Sequence, residues 1–203
     1  MAMSAGASGG GRPALVLASS SPQRRALLQR LGVPFSVRVP ETSELCSGDP
    51  LQLARENALR KARAALAPGV PEVVVGCDTL VALDGVIYGK PADERQARET
   101  LRALSGAEHE VISGLALLFG AEQGRERTAI ARTGVAFREL SDELLAWYLA
   151  TGEWRGRAGA YAIQGAGAAL VRSVRGDYEN VVGLPLAALL DDAPELLAEV
   201  LRA

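Results

Sequence analysis

The most apolar stretch of the chain, residues 73–83, carries a carboxylate in its middle: Asp78 stands between Val73-Val74-Val75-Gly76-Cys77 and Leu80-Val81. A run this short and this rich in valine reads as a buried strand and is too short to span a membrane. A carboxylate buried there is costly unless it is paired, protonated or bound to a metal. Unless it is protonated there, the fold has to bring a partner or a metal to the middle of its most apolar strand. A turn aspartate hydrogen bonded beside Thr79 is the plainer alternative. A divalent metal would need further oxygen ligands, and Glu41 and Glu44 in the preceding polar loop are the nearest acidic residues of the right type.

Strand-like and helix-like patterns alternate around this run. Residues 14–17 are a strand-length apolar run, and Ser21-Pro22 then supplies an N-cap and a first-turn proline for a helix to Leu31, with Gly32 past its end. Residues 33–39 read as a second strand, followed by a polar loop over 40–49. Asp49-Pro50 starts another helix, whose Leu51, Ala54, Ala58, Ala62 and Ala65 keep helical spacing to about residue 67 and which carries Lys61. Asp84-Gly85 turns the 73–83 strand into 86–88 as a hairpin, and Gly89-Lys90-Pro91 leaves it. A polar helix follows over 93–104, antiparallel strands over 109–119 and 127–137, and a capped helix over 141–150. The last third is Gly-rich over 152–167, then a strand over 168–174, a turn at Arg175-Gly176-Asp177 and a closing helix from Pro185 to about Arg202. This predicts an α/β fold with a mixed twisted sheet flanked by helices, as one domain over 13–203 shaped into two lobes around a cleft. Residues 1–12, rich in Gly, Ala and Ser, are expected to be disordered.

Composition enters by exclusion. Net charge is −2, with nine aromatic residues (two Trp, four Tyr, three Phe), which argues against an extended nucleic-acid surface. No apolar run has the length of a membrane span, and the first residues lack the apolar stretch of a signal peptide, so a soluble cytoplasmic protein is expected. Cys46 and Cys77 cannot build a disulfide framework and fit a reducing compartment. His109 is the single histidine, which excludes mechanisms needing a histidine pair; flanked by Glu108 and Glu110 at a strand start, it is expected to make a structural hydrogen bond.

Of the 22 basic residues only Lys61 and Lys90 are lysine. Lysine is a compact point charge, suited to a phosphate oxygen in a narrow approach where the arginine fork is not. Ser19-Ser20-Ser21-Pro22-Gln23-Arg24-Arg25, where a strand gives way to a helix, combines hydroxyls, guanidinium groups and a helix N-terminus, a set that suits phosphate. In Gly159-Ala160-Tyr161-Ala162-Ile163-Gln164-Gly165 an amide on a Gly-rich loop could read a base edge. Gly165-Ala166-Gly167 is no dinucleotide fingerprint, because it precedes a strand instead of opening a helix.

Taken together, Leu17-Ala18-Ser19-Ser20-Ser21-Pro22-Gln23-Arg24-Arg25, Gly76-Cys77-Asp78-Thr79-Leu80-Val81, Gly89-Lys90-Pro91, Ser105-Gly106 with His109-Glu110-Val111, the Gln164 loop and Val182-Gly183-Leu184-Pro185 resemble the Maf family of nucleoside triphosphate pyrophosphatases over nearly the whole chain. The resemblance implies an inosine-triphosphatase-like architecture with a nucleotide cleft, and hydrolysis between the α and β phosphates with a divalent cation, Mg or Mn. It implies Asp78 as general base or metal ligand, Glu44 as a metal-side carboxylate with Glu41 as a rival, and Ser19, Ser21, Arg24, Lys61 and Lys90 at phosphate. Arg24, Thr79 and Gln164 fall on specificity positions, and Ala-Tyr-Ala-Ile-Gln-Gly is similar to the branch acting on dTTP and UTP. Gln23 and Ala26 depart from the Arg and Glu of many members. A homodimer is also implied. The rival readings are a pyrophosphatase for 7-methyl-GTP or inosine-type purine nucleotides, and a nucleotide-binding division regulator without turnover.

Overall fold

The computed structural model describes residues 14–67, 69–120 and 125–194. Strand β1 (Ala14–Ala18) leads into helix α1 (Pro22–Arg30), whose N-cap Ser21 accepts from the Arg24 backbone N–H. Strand β2 (Phe35–Val37) follows, then a long irregular loop and helix α2 (Pro50–Ala65), capped by Asp49, which accepts from the Leu51 and Gln52 N–H groups. Strand β3 (Glu72–Leu83) turns into β4 (Val86–Tyr88) through Asp84 and Gly85 at φ 51° and 79°, the two positive values that a tight hairpin turn requires. Helix α3 (Glu94–Leu104), strands β5 (Glu108–Phe119) and β6 (Glu126–Phe137), and helix α4 (Asp142–Thr151) complete the middle of the chain. Strand β7 (Val171–Arg175) and helices α5 (Tyr178–Val182) and α6 (Leu186–Asp192) end it.

The strands form one mixed sheet in the order β2-β1-β3-β5-β6-β7, with β4 hydrogen bonded to β3. β1 runs parallel to β2 and β3, and the remaining pairs are antiparallel. Because side chains alternate along a strand, β3 sends Val73, Val75 and Cys77 to one face and Val74, Gly76 and Asp78 to the other. The first set packs with Leu27 and Leu28 of α1 and Leu189 of α6, while Val74 meets α2 through Ala58 and Ala62. A second lobe gathers α3, α4 and the Gly-rich segment around Phe137, Tyr148, Trp154 and Tyr161.

Two glycines set how closely α2 lies on the sheet. A Cβ on Gly76 would stand 2.3 Å from the Ala58 carbonyl oxygen, and one on Gly114 would stand 2.1 Å from that of Ala54. Gly114 is also the cross-strand partner of Asp78. The helix backbone therefore rests against bare strand at the level of the buried carboxylate, and its next inward side chains, Asn57 and Lys61, lie one helical turn apart facing it.

The structure corrects four expectations. The second strand is three residues long instead of spanning 33–39. The strand expected over 168–174 starts at Val171, because residues 166–170 wind into 3₁₀ turns where a Cβ on Gly167 would meet the Ala162 carbonyl oxygen at 2.5 Å. A short helix, α5, follows the turn at Arg175-Gly176-Asp177 where no element was expected; Asp177 caps it by accepting from the Asn180 N–H. The closing helix stops at Asp192, just ahead of Ala193-Pro194, where proline disfavours helical backbone before it. Its expected continuation to Arg202, the disorder expected for 1–12 and residues 121–124 between β5 and β6 lie outside the described residues.

Candidate active site

A cleft of about 1100 Å³ opens between the lobes, walled by the β1–α1 turn, the loop before α2, the middle of β3, Lys90 after the hairpin, and the segment carrying Tyr161 and Gln164. Its volume suits a nucleotide-sized ligand.

At its floor the partner demanded by Asp78 is found. The Lys61 ammonium lies 2.5 Å from Asp78 Oδ1 and 2.6 Å from Glu44 Oε1, so one cation bridges two carboxylates. Lys90 reaches Glu44 Oε2 at 3.7 Å from the exposed side. The pairing is graded in solvent: Asp78 is 4% exposed and Lys61 8%, whereas the Glu44 side chain is 40% exposed. Burial pushes the Glu44 carboxyl upward, but the hydrogen bond and charge of Lys61, with Lys90 and Arg24 behind them, outweigh it and hold the group below the usual glutamate value. Glu41, the rival on the same loop, is exposed and does not line the cleft.

A second network forms the adjoining wall. Arg24 Nε donates to the Gly183 carbonyl at 2.7 Å, one terminal nitrogen donates to Thr79 Oγ1 at 3.0 Å and the other to Ser19 Oγ at 3.3 Å. Thr79 Oγ1 lies 2.9 Å from Ser113 Oγ and 3.3 Å from the Gly183 oxygen. The guanidinium is thus held between the end of β1 and the middle of β3, beside the N-terminus of α1. Ser19 is buried, Ser21 is engaged as the helix cap, and Gln164 stands exposed at the lip.

The structure thus brings Ser19, Ser21, Arg24, Glu44, Lys61, Asp78, Thr79, Lys90 and Gln164 to one cleft. Sequence reasoning missed Asn57, Ser113 and the Gly183 carbonyl. Asn57 was readable as a polar residue one turn before Lys61 on the same helix face. A carbonyl leaves no trace in residue type. His109 makes its structural bond, Nε2 lying 3.0 Å from the Tyr161 hydroxyl, with Phe137 packed edge-on to both rings. Both cysteines are free, Cys46 exposed and Cys77 buried.

Glu44 and Asp78 offer hard oxygen donors on either side of a cationic centre, the chemistry that Mg²⁺ or Mn²⁺ selects. Among the described residues no three His, Cys, Asp or Glu side chains gather as a metal site, so further ligands would have to come from a bound phosphate and water. No helix among those residues is long and apolar enough to cross a membrane.

The family model described as Maf-like protein matches residues 14–195. A dTTP/UTP pyrophosphatase of Symbiobacterium thermophilum is 49% identical over 174 residues, covering 85% of this chain and 88% of that protein. Another, from Anaeromyxobacter dehalogenans, is 50% identical over 182 residues, covering 86% and 90%. Among solved structures, a HAM1 protein from Coxiella burnetii is similar with a TM-score of 0.46 and 21% identity, over 62% of this chain and 73% of that one. With a match that runs from β1 to beyond α6, and near-half identity sustained across most of both relatives, this chain belongs to the Maf-like protein family.

Proposed function

We propose that the protein hydrolyses nucleoside triphosphates, dTTP and UTP foremost, to the monophosphate and pyrophosphate. The observation that carries this reading is the Lys61 ammonium set between Asp78 and Glu44 at the floor of a nucleotide-sized cleft. The activity for which the relatives at 49% and 50% identity are named supports the choice of nucleotides.

In this reading the triphosphate lies along the cleft with its charge on Lys61, Lys90 and Arg24, and its oxygens against Ser19, Ser21 and the N-terminus of α1. Asp78 orients the attacking water and takes its proton as the water adds at the α phosphorus; the leaving group is pyrophosphate. Catalysis is then mostly positioning and charge neutralisation. A divalent cation, when bound, would be held by Asp78 and Glu44 and would neutralise phosphate charge. Thr79 and Arg24 set one side of the base pocket, and the Gln164 amide, which both donates and accepts, matches the O4 and N3–H edge of thymine and uracil. The two free cysteines support a cytoplasmic setting, and the family resemblance supports one Maf-like domain over 13–203 and a homodimer.

The test is pyrophosphate release from dTTP, UTP, CTP, GTP, 7-methyl-GTP and ITP with Mg²⁺ or Mn²⁺. Turnover led by dTTP and UTP is expected. Turnover confined to 7-methyl-GTP or ITP would overturn the specificity and keep the reaction, and binding without turnover would replace the enzyme with a nucleotide-binding regulator.

A further inference from the structure

Asn57 is 1% exposed, and all of its amide hydrogen-bonding groups face named partners. Its Oδ1 accepts from the Leu45 N–H at 2.8 Å, and its Nδ2 donates both to the Leu45 carbonyl at 3.0 Å and to Asp78 Oδ2 at 3.0 Å. An amide that satisfies the N–H and the C=O of one residue acts on it as a neighbouring strand would. Here it acts on a segment, residues 38–49, that has no regular hydrogen bonding of its own. Leu45 follows Glu44 directly, so fixing both backbone groups of Leu45 fixes the main chain from which the Glu44 side chain reaches Lys61. The third bond falls on the Asp78 oxygen that Lys61 leaves open, since Lys61 engages Oδ1.

We infer that Asn57 is a positioning residue that ties the Glu44 loop to Asp78 and so sets the separation of the two carboxylates across Lys61. The inference rests on the proposed pyrophosphatase reading for its catalytic consequence, but not for the tie itself. The alternative is an amide that merely fills space under α2. That role would be matched by Asn57→Leu, which has a similar volume and no polar group.

Two measurements separate these roles. Hydrogen exchange at the Leu45 amide reads the tie without any activity. In Asn57→Ala and in Asn57→Leu it is expected to quicken at least about tenfold, following loss of one bond of ordinary strength, while amides in the core of β5 stay protected. Unchanged Leu45 exchange in both variants overturns the inference, whatever the enzyme does. For catalysis, each Asn57 variant is expected to lose about ten- to a hundredfold in kcat/KM, carried by kcat more than by KM. Combined with Glu44→Gln it is expected to cost little beyond Glu44→Gln alone, because the tie acts through Glu44. Losses that multiply overturn the coupling to Glu44. A wild-type protein inert towards every nucleotide would sink the pyrophosphatase reading and leave Leu45 exchange to decide the tie alone.

Discussion

Strand β3 carries two buried carboxylates, Glu72 at its start and Asp78 at its middle, 3% and 4% exposed. Each has a basic partner, and the partners differ. Glu72 meets the Arg38 guanidinium two-pronged at 2.8 and 3.1 Å and also accepts from the Ala67 N–H at 2.8 Å, with Arg38 reaching the Ala65 carbonyl as well. Asp78 meets one ammonium on Oδ1, which it shares with Glu44, and the Asn57 amide on Oδ2, at the floor of the cleft. The arginine fork closes its carboxylate into structure; the lysine point charge leaves lone pairs free and a second carboxylate in reach. Burial and ion pairing alone do not mark a reactive group. The site is marked by incomplete saturation beside an open cavity.

The sharpest way to break this contrast is to neutralise each acid. Asp78→Asn keeps the shape of the floor and is expected to lower turnover by roughly 10² or more, the usual weight of a general base, in steady-state assays. Near-normal turnover would put Asp78 in the same structural class as Glu72.

A third buried titratable group, His109, is held in its neutral form. Burial drives the His109 imidazole down to about 4, with Glu108 pulling weakly upward. Between that value and its ordinary 6.5 the unfolded chain binds the proton and the folded chain does not, so stability rises with pH across this window and is lost as pH falls. The loss by the acid end is on the order of 3 kcal/mol. Urea unfolding over this range should show the slope in wild type and a flatter one in His109→Gln.

Glu72→Gln is expected to cost about 1–3 kcal/mol of stability, for loss of hydrogen bonds to a charged group, with turnover retained. The Arg38 hydrogen bond, against burial and aided by the Ala67 N–H, holds the Glu72 carboxyl below its ordinary value. Its contribution is therefore present above the ordinary glutamate value and fades as pH falls through its lowered value. The smallest structural effect belongs to Lys90→Ala. An exposed pair at 3.7 Å contributes less than about 1 kcal/mol, so thermal unfolding should barely move while KM for the triphosphate rises.

Much of this was legible in the residues because local rules and tertiary packing agree there. Ser21-Pro22, Asp49-Pro50 and Ser141 cap the helices they were expected to cap, and Asp84-Gly85 makes its hairpin. Asp78 declared itself through its apolar neighbours. Glu72 escaped the same argument because the strand was expected to begin at Val73, which left it in a loop. Lys61 and Lys90 stood out against an arginine background, yet only the fold shows that Lys61 is buried and Lys90 exposed. Asn57 hid among the alanines beside it, which share its buried helix face and carry the apolar spacing. The Gly183 carbonyl, which orients Arg24 and Thr79, depends on α5, and a helix that short carries no period to read.

In this mechanism the half-saturated carboxylate of Asp78 directs water onto the α phosphorus. Hydrolysis of dTTP or UTP in ¹⁸O-labelled water, followed by mass spectrometry of both products, tests it directly. Label is expected in the nucleoside monophosphate and not in pyrophosphate, with the rate of labelling falling in Asp78→Asn; label in pyrophosphate, or labelling of the monophosphate undiminished in that variant, would overturn the mechanism.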